Sequence, residues 1–125
     1  MSHFTTITTQ IKDLNALRQA CQELGLEFLQ DAEARGYNGA RQRGEFIIRL
    51  KGPYDVVLNR QTDGSYSLTT DWWDGHVEKE IGPKCGRLLQ LYAVHKASQE
   101  ARKRGHTVSR KLLQNGTIKL IIGGI

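Results

Sequence analysis

Residues 45–73 hold three strand-like runs, EFIIRL, YDVVLNR and SYSLTTDWW, joined by the turns KGP and QTDG, which are too short to contain a helix. Strands linked this tightly pair antiparallel, because a parallel crossover needs a dozen or more residues. The register of the second hairpin follows from loop length. A two-residue Asp63-Gly64 turn sets Leu58 opposite Thr69, whereas a three-residue loop with Gly64 in the left-handed region sets Leu58 opposite Leu68 and Tyr54 opposite Trp72. The second register gathers the apolar side chains on one face and is the expected one.

Around this β core the hydrophobic period becomes helical twice. In DLNALRQACQELG, residues Leu14, Leu17, Ala20, Cys21 and Leu24 share one helix face, with Asp13 as N-cap and Gly25 past the end. From Gly82 a helix of about twenty residues is predicted, with Pro83 in its first turn and Gly105 as its terminator. Its inward stripe is Leu88, Leu91, Tyr92 and His95. SHFTTITT reads as a first strand and LEFLQ as a short one, while DAEARGYNGARQRG reads as a glycine-punctuated loop or irregular edge. Two strands close the chain around Asn115-Gly116. The order β-α-β-β-β-β-α-β-β has no repeated strand-helix crossover, so the expected fold is α+β, a mainly antiparallel sheet with two helices packed on it. A length of 125 residues fits one domain.

No window approaches the roughly 18 apolar residues of a spanning helix, and the N-terminus lacks the pattern of an export signal. Cys21 and Cys85, without CxxC spacing, are therefore expected to be free thiols. As the third residue of the second helix, Cys85 would have a thiol activated by the helix dipole, Lys84 and Arg87. The nearest helical base, His95, is about 15 Å along the same axis, so no nucleophile-base pair forms there, and only His76 is left as a partner. His3, His76, His95 and His106 lack the paired spacings of a zinc site. GYNGARQRG has no strand-turn-helix context for a phosphate loop, although Arg35, Arg41 and Arg43 with Tyr37 could meet an anion. Neither catalytic residues, a metal nor a cofactor is expected.

Charge is unevenly distributed along the chain. Residues 1–83 carry nine Lys/Arg against twelve Asp/Glu, whereas residues 84–125 carry nine against Glu100 alone. Lys96, Arg102, Lys103, Arg104, His106, Arg110 and Lys111 gather at one helix end and the strand after it, a surface suited to an acidic partner. Trp73, next to Trp72 in its strand, points to the opposite face, where it either packs under the 31–44 loop or lies exposed as the candidate aromatic contact. The shortage of aromatics among the basic residues disfavours single-stranded nucleic acid.

MSHF, IKDLNALRQACQELG, the YDVVLN and DGSYSLTTDW hairpin, LYAVHKASQEARKRGHTV and the closing NGTIKL occur in an order and spacing that resemble the conserved hypothetical chloroplast reading frame thirty-five family. The resemblance spans nearly the whole chain. It departs at YAVH, where Val94 replaces the second aromatic of the family's Tyr-Ala-Tyr-His. The resemblance implies a soluble protein of the cyanobacterial cytoplasm or plastid stroma and no established catalytic residues. The expected function is a binding or assembly module whose basic C-terminal surface engages an acidic protein. The alternatives are nucleic-acid binding and a small redox-linked accessory enzyme using Cys85.

Overall fold

The computed structural model describes residues 4–124; Ser2 and His3, assigned above to the first strand and the histidine set, lie outside them. Five strands, β1 (Phe4–Thr8), β2 (Glu27–Arg35), β3 (Arg41–Arg49), β4 (Val56–Arg60) and β5 (Tyr66–Asp71), form an antiparallel sheet in the order β1-β5-β4-β3-β2. Helices α1 (Leu14–Glu23) and α3 (Gly86–Lys103) pack on one of its faces, and a short α2 (Glu78–Ile81) precedes α3. The last two strands, β6 (Thr107–Leu112) and β7 (Ile118–Gly123), do not join this sheet but pair only with each other. The fold class is the α+β arrangement expected from the sequence, with a second, two-stranded sheet.

Strand alternation sorts the core. Phe46, Ile48, Val56, Leu58, Tyr66 and Leu68 face the helices and meet Leu17, Ala20, Cys21, Leu88 and Leu91. The β4–β5 hairpin has the expected register: Leu58 pairs with Leu68, and the Gln61 N–H donates to the Ser65 carbonyl across Thr62-Asp63-Gly64, with Gly64 at φ 87°. Pairing begins at Val56 and Thr70, two residues short of Tyr54 and Trp72; the Tyr54 ring instead meets His76 edge-on at 5.3 Å. Helix α1 starts as expected, with Asp13 Oδ1 accepting from the Ala16 N–H.

Residues 31–44 are not a loop. They belong to the long β2–β3 hairpin, and only the tip between Arg35 and Arg41 leaves the strands. Asp31, at φ 55°, interrupts the ladder between the Gln30–Phe46 and Ala32–Gly44 pairs, and beyond it the hairpin runs on past the end of its pairing with β4. There Ala34 joins Ile47 and Val57 in a smaller core on the other sheet face. At Gly36 a Cβ would lie 2.7 Å from the Phe4 ring, and the Tyr37 N–H donates to Asp71 Oδ2 at the far end of β5. Small and polar residues that look like loop in one dimension are what this close return requires.

The second long helix begins later than its sequence implies. Gly82 (φ 87°), Lys84 (φ 53°) and Cys85 (φ 63°) turn left-handed, so Pro83 opens a separate turn and α3 starts at Gly86. Its end follows expectation: the helix closes at Lys103 and Gly105 adopts φ 83°. The buried stripe is Leu88, Leu91, Val94, Ser98 and Ala101, while Leu89 and Tyr92 are partly buried and Tyr92 Oη accepts from the Lys12 and Asp13 N–H groups.

Candidate binding surface

The hairpin β6–β7 is laid along α3. Strand alternation turns Val108, Arg110, Ile118 and Leu120 to one side, where Ile118 packs on the main core. Ser109, Lys111, Lys119 and Ile121 fall on the other side. The tip is built like that of β4–β5: the Leu113 N–H donates to the Thr117 carbonyl across Gln114-Asn115-Gly116, and Gly116 has φ 85°. Gln90 Nε2 donates to the Gly116 carbonyl, which holds the tip to α3.

The structure divides the seven basic residues singled out in the sequence. Lys96 Nζ is 3.3 Å from both Asp13 and Glu100, and Lys103 Nζ is 4.0 Å from Glu100. Arg110 Nη1 donates to Glu23 Oε2 at 2.9 Å, while His95 Nε2 lies 2.8 Å from the other Glu23 oxygen. The Arg110 hydrogen bond, opposed by burial and helped by His95, holds the Glu23 carboxyl below the usual carboxylate range. His106 Nδ1 is 3.0 Å from the Gly123 carbonyl at the base of the hairpin. Among the described residues, Arg102, Arg104 and Lys111 have no ion-pair partner.

Sequence reasoning missed the groups that complete this surface. Lys119 stands directly opposite Lys111 across the ladder and is likewise without a carboxylate partner. Ile121, 49 % exposed, lies on the same side of the hairpin as these lysines, whereas exposed Leu112 (72 %) and Ile122 (52 %) lie on the other. The signal was present in IKLII, where alternation turns Ile118 and Leu120 toward α3 and Ile121 to the opposite side.

Trp73 does not join the basic residues. It lies beyond the end of β5, so its ring is not placed by strand alternation as expected; it opens a turn through Asp74 (φ 57°) and Gly75 (φ 72°). Its ring, 43 % exposed, packs at 5.3 Å against Tyr37, which opens a like turn through Asn38 and Gly39. One carboxylate serves both turns: Asp71 Oδ1 accepts from the Trp73 N–H and Oδ2 from the Tyr37 N–H. Of the arginines around Tyr37, Arg35 is held by Asp55 and Arg43 by Asp31, while Arg41 Nη1 donates to the neighbouring Ala40 carbonyl.

Cys85 is not the third residue of a helix but the residue just before one, and its side chain is buried in the main core. Burial pushes both the Cys85 and Cys21 thiols up to about 12, the reverse of the activation expected for Cys85. Both cysteines are free. Native protein should therefore react with iodoacetamide at neutral pH far more slowly than denatured protein at both positions; fast native labelling of Cys85 would show a thiol that opens to solvent.

Among the described residues no three His, Cys, Asp or Glu side chains converge as metal ligands, and no helix is long and apolar enough to cross a membrane. The family model described as "Protein of unknown function (DUF1257)" matches residues 20–121. The "Uncharacterized protein ycf35" of Pyropia yezoensis is 30% identical over 125 residues, covering 98% of this chain and 96% of that protein. The protein of the same name from Guillardia theta is 30% identical over 128 residues, with the same coverage. No solved structure matches the chain.

Proposed function

The chain belongs to the DUF1257 family, and from that premise we propose that it is a binding or assembly module of the plastid stroma or cyanobacterial cytoplasm. The hairpin β6–β7 and the end of α3 engage an acidic protein segment. The observation that carries this reading is the Lys111–Lys119 pair. Like charges directly opposite on an antiparallel ladder are destabilising, and here they share one side of the hairpin with exposed Ile121. A partner bringing carboxylates and apolar side chains would relieve the repulsion and cover the apolar groups together. Long-range attraction to the basic end speeds encounter, and at physiological salt its reach is about 8 Å.

The test separates binding from stability because the two should move in opposite directions. Lys111→Glu places a carboxylate opposite Lys119, so the melting temperature should rise, by the equivalent of about 0.2–1 kcal/mol. The same variant should lose capture of acidic partners from native extract, and wild-type capture should weaken along a salt series. Unchanged capture by the more stable variant at every salt concentration would reduce the surface to a solubilising face. Capture abolished by nuclease would transfer the surface to nucleic acid.

A further inference from the structure

Beneath the hairpin lies a cleft of about 430 Å³ between α1, α3 and the two strands. Its size is within the range of small-molecule sites. Its polar wall comes from three elements: Gln19 from α1, His95, Ser98 and Arg102 from α3, and Ser109 and Arg110 from β6. The apolar part of the wall is Val108 and Leu120. His95, Ser98 and Arg102 recur at helical spacing, so one stripe of α3 faces the cleft.

The groups in this wall are of two kinds. Glu23 ties down Arg110 and His95, one carboxylate oxygen to each, which fixes both side chains without occupying Arg110's remaining donors. By contrast, Arg102 has no carboxylate, and the side chains of Ser98 and Gln19 make no hydrogen bond among the described residues. Ser98 is only 6 % exposed as a residue, and its hydroxyl, which no protein group bonds among the described residues, is left open to the cleft. Two guanidinium groups and one carboxylate leave the wall net positive.

We propose that this cleft binds a small phosphorylated metabolite. The phosphate is held by Arg102, the Ser98 hydroxyl and the Gln19 amide, with Arg110 adding to the positive field, and the organic part lies against Val108 and Leu120. Guanidinium groups match phosphate oxygens in geometry and charge, and hydroxyl and amide donors satisfy the oxygens that remain. The cleft shares Arg102 at the end of α3 with the surface assigned to the acidic partner but not Lys111 or Lys119, so the Lys111→Glu variant tells the two assignments apart.

Titration of the full chain with inorganic phosphate, followed by amide NMR shifts at constant ionic strength, tests the proposal. Saturable shifts are expected at Gln19, His95, Ser98, Arg102 and Arg110. Arg102→Gln should weaken binding about tenfold or more, as loss of a charge-assisted hydrogen bond does. Ser98→Ala should weaken it without changing charge, and Lys111→Glu should leave it unchanged. The site is overturned if the shifts fail to saturate, if they are as large at Arg104, Lys111 and Lys119, or if Arg102→Gln binds like wild type. Acetate competing as well as phosphate would overturn the assignment to phosphate.

Discussion

Asp55→Ala should lower the unfolding free energy by about 3 kcal/mol, a large part of the 5–15 kcal/mol typical of folded domains. Its side chain is fully buried. Oδ2 accepts from the Arg35 N–H and Nε, and Oδ1 from Arg35 Nη2 and the Leu50 N–H. Arg35 Nη2 also donates to the Leu50 and Gly52 carbonyls, so one carboxylate ties the 50–55 turn to β2. Removing it strands a backbone donor inside the protein and leaves Arg35 without its counter-charge, while Arg49 Nε, buried and unbonded 3.7 Å from Oδ2, loses its nearest anion. The effect falls at the lower end of the 3–5 kcal/mol seen for broken buried pairs because the Arg35 side chain is 33% exposed and can rehydrate. Denaturant unfolding of both proteins measures the difference; a loss below 1 kcal/mol would mean that the network is dispensable.

The same carboxylate sets the sign of the acid response. Burial disfavours its charge, but Arg35 and the backbone donors outweigh burial and hold the Asp55 carboxyl below the usual carboxylate range. A depressed folded-state pKa stabilises fully above the unfolded value of about 3.9 and is lost as pH falls through the folded value. Glu23 is shifted in the same direction. Wild-type stability should therefore fall below about pH 4, and Asp55→Ala should lose less over that window.

Gly44→Ala should cost about 1–3 kcal/mol, the usual range for overpacking a close-packed core. A Cβ at Gly44 would run into Val57 Cγ1, and Val57 has no exposed surface and no room to move away. Trimming the obstruction should reverse the penalty: Val57→Ala is destabilising alone but should cost markedly less when Gly44 is already alanine. A double-mutant cycle reads the coupling. Strict additivity would show that the β2–β3 hairpin does not press on β4 as the structure has it.

Residues whose structure depends on near neighbours were legible in one dimension. Asp13 caps α1 because the amides it satisfies lie within three residues, and Gly64 and Gly105 take left-handed geometry because a tight loop and a helix end leave a Cβ no favourable place. The Leu58–Leu68 register followed from loop length and period-two alternation together. The basic character of the last third was equally plain from composition, since charge adds up without regard to fold.

What failed to read locally was decided by contacts between residues far apart in sequence. Residues 31–44 look like loop because Ala32, Ala34 and Gly44 are small, yet smallness is what lets that hairpin return to Val57, Phe4 and Asp71. Cys85 looked activated by its place near a helix start, but left-handed geometry at Lys84 and Cys85 put the thiol in the core, where desolvation outweighs the dipole. The basic cluster looked uniform until Asp13, Glu23 and Glu100 neutralised some members and left Arg102, Arg104 and Lys111 free of carboxylates. Propensity and alternation act over a few residues and survive in the sequence; burial and charge pairing depend on which distant segments meet, and only the folded chain settles that.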